Sequence, residues 1–142
     1  MKKKILIVNA NYYKSVTDNL LKYTKKVLKD NKFNLSLQSV PGVFEIPIAI
    51  RKNIKKFDGF VVLGCVIKGK TPHFEFICKA TFNSISYLSI IYNKPIGNGI
   101  ITSHSIKQAY ERCGKIKSNK SNKGLEAAKA VISILKNGPK KI

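Results

Sequence analysis

The sequence predicts an α/β fold, a three-layer α/β/α sandwich around a four-stranded parallel sheet. Short apolar runs recur along the chain, as expected of strands that are buried on both faces. Segments with apolar residues at helical spacing separate these runs, and this alternation of strand and helix favours a parallel sheet covered by helices. With 142 residues and 44% hydrophobic content, we expect one globular domain over residues 1–142.

Each element follows from a local pattern. The predicted strands are residues 4–9, 34–40, 60–63 and 96–102. The predicted helices are residues 17–31, 45–56, 73–91, 106–112 and 123–137. Pro47 is tolerated because it lies in the first turn of its helix. The third helix is expected to bury Ile77, Ala80, Ser84, Leu88 and Ile91, and the last helix Leu125, Ala128, Ile132 and Leu135. The arrangement is flavodoxin-like, and ligands should bind at the carboxyl ends of the strands.

The charge of the chain raises the question of a nucleic-acid partner. The formal net charge is +20, from 27 basic and 7 acidic residues. Only Arg51 and Arg112 are arginine, whereas proteins that read bases favour the arginine fork. The lysines are also spread along the whole sequence. We therefore expect a solvated lysine-rich surface and no specific nucleic-acid partner, with a basic nucleic-acid-binding domain as the alternative.

The cysteines indicate a reducing compartment. Cys65, Cys78 and Cys113 are odd in number, widely spaced and form no Cys-x-x-Cys pair, which suits neither a disulfide framework nor a zinc site. The apolar run after Met1 is too short for a signal peptide, and no stretch is long enough to span a membrane. These features predict a cytoplasmic protein without membrane attachment.

The segment 63–76 joins the third strand to the third helix through a turn that contains Lys70 and Thr71. His73 follows in the first turn of the helix. Free N–H groups and the positive end of the helix dipole at this position suit an anion, and the lysine and the hydroxyl add to it. The segment therefore has the layout of a catalytic site.

A purely structural interpretation of the same segment is also open. Gly64 and Gly69 would then only permit a tight turn, Pro72 would open the helix in its favoured position, and His73 would face solvent.

Several motifs in order along the chain resemble lumazine synthase (6,7-dimethyl-8-ribityllumazine synthase). They are Asn11-Tyr12, residues 40–47 (VPGVFEIP), 64–73 (GCVIKGKTPH), 98–102 (NGIIT) and 122–128 (NKGLEAA). The resemblance covers almost the whole chain. It implies condensation of 5-amino-6-(D-ribitylamino)uracil with 3,4-dihydroxy-2-butanone 4-phosphate in riboflavin biosynthesis, without cofactor or metal.

The resemblance also implies a role for individual residues. His73 would be the catalytic group that moves protons. Lys70, Thr71 and Arg112 would bind the phosphate, although a surface arginine on a helix is the commoner case. The pyrimidine would contact Tyr12, Val43, Phe44, Glu45, Cys65, Val66, Ile67 and Asn98. Cys65 is expected in the pocket wall rather than as a nucleophile, and Glu126 is a candidate to orient His73.

One position departs from the family pattern. Many members carry a phenylalanine at the position of Asn98, where it closes the pocket from a neighbouring subunit, whereas Asn98 offers an amide. A flavin-binding relative without turnover is the remaining alternative. The presence of His73, Arg112 and the loop with Lys70 and Thr71, which we call the phosphate loop, weighs against it.

The resemblance implies an active site between subunits, with a pentamer as the smallest complete unit. The chain starts almost at its first strand, without the extension that pairs with a neighbour in many members. The loop 114–122 is longer than the connection usual in shell-forming members, and its lysines would repel each other where pentamers meet. We therefore expect a homopentamer.

Overall fold

The computed structural model describes residues 1–142. The strands are β1 (Lys4–Ala10), β2 (Asn34–Val40), β3 (Gly59–Ile67) and β4 (Ile96–Ser103). The helices are α1 (Lys14–Asp30), α2 (Ile46–Asn53), α3 (His73–Tyr92), α4 (Ile106–Arg112) and α5 (Lys123–Lys136). A short 3-10 helix (Val43–Glu45) precedes α2. The predicted order of elements is confirmed.

All four strands are parallel, in the order β2-β1-β3-β4. At the carboxyl edge of the sheet, Ala10 pairs with Val40 and Ile67 with Ser103. The loops that follow the four strands therefore emerge along one edge, which is where ligands bind in open parallel sheets.

The two faces of the sheet bury separate cores. Successive side chains of a strand point to opposite faces, and β1 shows this directly. Ile5 and Ile7 pack in the core under α1, α4 and α5, whereas Leu6 and Val8 pack in the core under α2 and α3. The predicted three-layer α/β/α class is confirmed. None of the helices is both long and apolar enough to cross a bilayer.

Two helix boundaries differ from prediction by more than one residue, each for a local reason. Helix α1 begins three residues before the predicted Thr17, because the carbonyl of Tyr13 already accepts the N–H groups of Val16 and Thr17. Helix α2 ends before residue 56. The Lys56 N–H reaches back only three residues, to the Asn53 carbonyl at 2.9 Å, so the chain tightens into a turn.

The predicted buried face of α3 is mostly wrong. Ala80, Ser84 and Ile91 are exposed, and Thr81 and Ile85 are buried beside Leu88. Apolar side chains occupy much of the circumference of this helix, so their spacing does not single out one face. The buried face is turned by one residue from the predicted one, so that Thr81 and Ile85 are buried in place of Ala80 and Ser84.

The buried face of α5 also differs from prediction. Gly124, Ala127, Ala128 and Val131 are buried, whereas the larger Leu125, Ile132 and Leu135 are only partly buried. The small residues are needed because α5 lies very close to β4. A Cβ atom added to Gly97 would meet the Ala127 carbonyl oxygen at 2.2 Å, so neither surface can carry a large side chain here.

Candidate active site

A mostly apolar cavity of about 340 Å³ opens at the carboxyl edge of the sheet, where the segments after β1, β2 and β3 meet. It is lined by Tyr12, Tyr13, Gly42, Val43, Phe44, Glu45, Cys65, Val66, Ile67, His73 and Ile77. We call it the apolar cavity. It brings together every residue that the resemblance assigned to the pyrimidine except Asn98, together with His73.

The loop after β1 supplies an exposed aromatic ring. The Asn11 N–H donates to the Val40 carbonyl at 3.1 Å, which ties this loop to the end of β2. The rings of Tyr12 and Tyr13 meet edge to face with centroids 5.0 Å apart. Tyr12 is 76% exposed, so its ring is open to stacking on a planar ligand. Burial, with smaller contributions from Tyr12 and Cys65, raises the pKa of Tyr13.

The 3-10 helix after β2 forms the second wall. The Glu45 N–H donates to the Gly42 carbonyl at 3.2 Å, and Val43 is buried against β3. A Cβ atom on Gly64 would lie 2.6 Å from Val43 Cγ1, so the absence of a side chain on β3 lets this wall approach. Gly64 therefore lies inside a strand, and the interpretation that placed it in a tight turn is wrong.

Cys65 forms part of the floor of the apolar cavity. It is only 5% exposed. Burial raises the pKa of its thiol to about 12, and the nearby Cys113 adds to the effect. The thiol is therefore protonated at neutral pH, and a protonated thiol is a poor nucleophile.

His73 lies at the rim of the apolar cavity, at the start of the twenty-residue helix α3. No side chain caps this end of the helix. Lys70 and Thr71 precede it in an exposed loop. The Lys68 ammonium pairs with Glu75, in the first turn of α3, at 3.5 Å. The first-turn N–H groups, the Lys70 ammonium and the Thr71 hydroxyl thus lie in the same short segment as the imidazole.

Arg112 lines a different cavity. This polar cavity of about 360 Å³ lies beside the end of β4 and contains no apolar side chain. It is lined by Thr102, Ser103, His104, Gln108, Glu111, Arg112 and Lys120. It adjoins the apolar cavity, because Val66 and Ile67 of that cavity pair with Thr102 and Ser103 of this one. The ring of Phe74, next to His73 in the chain, also meets the His104 ring edge-on at 6.5 Å.

Two further predicted residues lie outside both cavities. Asn98 pairs with Val62 well before the carboxyl end of β4, and its side-chain oxygen accepts the Ile100 N–H at 3.0 Å. Glu126 accepts a hydrogen bond from Ser121 and pairs with Lys123 at 3.7 Å. Neither lines the cavity that contains His73, so their roles at this site stay predictions.

Comparison with known proteins identifies the family. Residues 2–137 match the family model described as 6,7-dimethyl-8-ribityllumazine synthase. Proteins of that name from Campylobacter jejuni (strain 81-176) and Campylobacter curvus are 41% and 40% identical, over 93% and 94% of this chain and 87% of each relative. The one from Aliarcobacter butzleri is 38% identical, over 93% of this chain and 86% of the relative. The chain belongs to this family.

In this lumazine synthase family member, sequence reasoning missed several residues that line the two cavities. Tyr13 and Ile77 belong to the apolar cavity. The signal for Ile77 was present, because a residue four positions after His73 lies on the same face of a helix. His104 and Lys120 line the polar cavity. Their signal was weaker, since only His104 follows directly after a strand end.

Proposed function

We propose that this chain is a 6,7-dimethyl-8-ribityllumazine synthase. It would condense 5-amino-6-(D-ribitylamino)uracil with 3,4-dihydroxy-2-butanone 4-phosphate. The observation that carries the proposal is the apolar cavity, in which an exposed tyrosine ring, a carboxylate and an imidazole face one space of about 340 Å³. Membership of the lumazine synthase family supports the same reaction.

The pyrimidine would lie in the apolar cavity. Tyr12 would stack on its ring, and the backbone at Val43 and Phe44 would hydrogen-bond its polar edge. The carboxylate of Glu45 would accept hydrogen bonds from the ribityl chain. Cys65, Val66 and Ile67 would form the opposite wall, where a protonated thiol and two aliphatic side chains provide an apolar surface.

The phosphorylated substrate would bind at the start of α3. Its dianion would meet the free N–H groups of the first turn, the Lys70 ammonium and the Thr71 hydroxyl. Arg112 would complete the phosphate site with the guanidinium fork, whose parallel N–H groups match phosphate oxygens. In the single chain Arg112 lines the polar cavity, which includes neither Lys70 nor Thr71, and a neighbouring subunit would bring it to this phosphate.

His73 would transfer protons during the condensation. The 5-amino group of the uracil adds to the ketone of the butanone, and water leaves to form an imine. Phosphate is then eliminated, and the ribitylamino nitrogen closes the second ring with loss of water. Each step moves a proton near neutral pH, which suits an imidazole. Contact between the two bound substrates supplies much of the acceleration, and the reaction needs no cofactor or metal.

The complete enzyme would be a C5 homopentamer with active sites between subunits. Asn98 and Arg112 fail to reach the apolar cavity of their own chain, which supports a shared site. The layer formed by α2 and α3 also exposes large apolar side chains, which are Ile48, Phe76, Tyr87, Ile90 and Ile91. A groove of about 590 Å³ runs between these helices. Exposed apolar surface of this kind marks an interface.

We also propose that the enzyme works in the cytoplasm. Cys65, Cys78 and Cys113 are all free thiols. Burial raises the pKa of each of them, with a further contribution from Cys113 at Cys65 and from Glu75 at Cys78. Such thiols persist most easily in a reducing compartment.

The decisive test of the reaction is direct. Purified protein is mixed with both substrates, and the absorbance and fluorescence of the lumazine product are followed. We expect product only when both substrates and the protein are present, above the spontaneous background. Tight flavin or lumazine binding without product formation would instead assign the chain to non-catalytic ligand binding.

The assembly is tested by mass photometry or light scattering of the same sample. We expect particles of five copies at ordinary salt. Megadalton particles would show that the loop 114–122 does not prevent shell formation, and a decamer would show that it blocks only the contacts needed for a shell.

A further inference from the structure

A concentration of positive charge lies at the edge of the sheet opposite to the candidate active site, where β1 and β3 begin. A cavity of about 620 Å³ opens there. Six lysines line it, which are Lys2, Lys3, Lys4, Lys55, Lys56 and Lys94. We call it the lysine cavity. These residues come from three separate parts of the sequence, so the lysines that appear dispersed along the chain are gathered by the fold.

The charges of the lysine cavity are not neutralised. The ion pairs of the chain involve Lys14, Lys26, Lys68 and Lys123, none of which lines this cavity. Asp58 is the one carboxylate in the lining. Its Oδ2 accepts the backbone N–H of Lys4 at 2.7 Å, so the carboxylate faces the start of β1 rather than a lysine ammonium. Like charges around a concave surface focus a positive potential.

The backbone that carries these lysines is held firmly. The Lys94 ammonium donates to the carbonyls of Ile54 and Phe57, each at 2.6 Å, and thereby fixes the turn that bears Lys55 and Lys56. The Lys4 carbonyl accepts the Asp58 N–H at 2.8 Å. Lys94 is thus a structural cation, and the exposed ammonium groups of the other five lysines are free for a ligand.

We propose that the lysine cavity binds a linear chain of phosphates without reading bases. A nucleic-acid backbone and a short polyphosphate share this chemistry. Ammonium groups bind phosphate as point charges, and several of them along one concave wall match phosphates repeated along a chain. The lining has no arginine and so lacks the fork that reads guanine. Its concave shape fits a discrete chain better than a flat bilayer surface. The proposal does not depend on the lumazine synthase activity.

The test compares two triple variants of the full-length protein. Lys3→Gln/Lys55→Gln/Lys56→Gln removes three charges from the lysine cavity. The matched control Lys25→Gln/Lys79→Gln/Lys129→Gln removes three exposed charges from α1, α3 and α5. Binding of a labelled oligothymidylate is measured by fluorescence anisotropy at several salt concentrations, and binding of inorganic tripolyphosphate by calorimetry. Circular dichroism and lumazine formation verify that both variants are folded.

We expect the cavity variant to bind the oligothymidylate about tenfold more weakly at low salt. The slope of log K against log salt should also become shallower by about 2, because each of the three lost phosphate contacts contributes roughly 0.7 to the slope. The control should change by less than about twofold. Binding of tripolyphosphate as well as oligothymidylate indicates a short phosphate site, and binding of the oligonucleotide alone indicates an extended backbone.

Three results would overturn the proposal. The first is an equal loss in both variants, which would mean that diffuse charge is responsible. The second is the absence of measurable binding by the unaltered protein. The third is binding to phosphatidylglycerol vesicles but to neither phosphate chain.

Discussion

The apolar cavity and the polar cavity lie at the same edge of the sheet but are built differently. The apolar cavity is made by three segments that follow neighbouring strands, and all eleven of the lining residues observed belong to one chain. The polar cavity lies beside β4, at the end of the sheet order, and is lined by Arg112 but not by Lys70 or Thr71. A single chain thus forms a pocket for a planar ring but does not bring all the proposed phosphate ligands to it.

This difference has a consequence for catalysis. A reaction that joins a planar heterocycle to a phosphorylated substrate needs both kinds of surface in contact. If the polar cavity of one subunit faces the phosphate loop of the next, the contact between subunits completes the active site. The two cavities should then respond differently to mutation.

The largest expected effect belongs to His73 in the apolar cavity. His73→Ala should lower kcat by roughly ten- to a thousandfold without abolishing turnover, because substrate proximity survives the loss of the proton shuttle. His104→Ala removes the other imidazole of the chain, from the polar cavity, and should leave kcat within about threefold. Steady-state rates with both substrates saturating check this, and equal kcat for His73→Ala and the unaltered enzyme would remove His73 from its role.

Arg112 in the polar cavity should act mainly on substrate affinity. Arg112→Lys keeps the charge but loses the fork, so the KM of the phosphorylated substrate should rise by about tenfold. The KM of the pyrimidine should change little. A rise confined to the pyrimidine KM would show that Arg112 does not bind phosphate.

Mixed oligomers test whether the two cavities of different subunits cooperate. Subunits with His73→Ala and subunits with Arg112→Ala are co-expressed in equal amounts. If each site joins His73 of one subunit to Arg112 of the next, about a quarter of the sites in a cyclic ring are intact, and activity should recover to about that level. Activity no higher than the mean of the two separate variants would show that one chain supplies both residues.

The fold was predictable from the sequence because its signals are local. The strands and helices follow from apolar periodicity, and the bounds of β2 and α4 agree with prediction to the residue. The apolar cavity was predictable for a related reason. Parallel neighbouring strands must deliver their following loops to one edge, so Tyr12, Val43 and Cys65 converge once the fold class is known.

Other features depend on distances that a sequence does not contain. The true faces of α3 and α5 reflect how closely each helix approaches the sheet, as the contact between Gly97 and Ala127 shows. The separation of Arg112 from the apolar cavity depends on the lateral position of β4. The lysine cavity combines residues that are more than fifty positions apart, such as Lys3 and Lys55, and charge has no periodicity that would reveal such a cluster.

A substitution where β3 packs against the 3-10 helix should have a smaller effect than the substitutions above, and the effect should be confined to the apolar cavity. Gly64→Ala should lower the free energy of unfolding by about 1–3 kcal/mol and raise the KM of the pyrimidine, because the new methyl group meets Val43 Cγ1 at 2.6 Å. Gly69→Ala is the matched control, since nothing lies within 4 Å of its added atom. Chemical denaturation measures the free energy of unfolding of the two variants, and steady-state kinetics measures the KM of the pyrimidine. Equal stability losses in the two variants would show that close packing at Gly64 is not the cause.

The last expected effect concerns the floor of the apolar cavity, and it appears only at alkaline pH. Burial raises the pKa of Cys65 to about 12 from an ordinary 9.0, so the folded chain keeps this proton where the unfolded chain releases it. The resulting stabilisation is fully present below about pH 9 and is lost as the pH rises from 9 towards 12, by at most about 1.4 kcal/mol for each pH unit. Cys65→Ala removes this contribution. Above pH 9, its melting temperature should therefore fall less steeply than that of the unaltered protein. From about pH 6 to 8 the difference in melting temperature between the two proteins should be constant, because the Cys65 thiol is protonated in both the folded and the unfolded state. Thermal melts across this range decide the matter, and parallel curves up to about pH 11 would mean that the Cys65 thiol ionises as readily in the folded protein as in the unfolded chain.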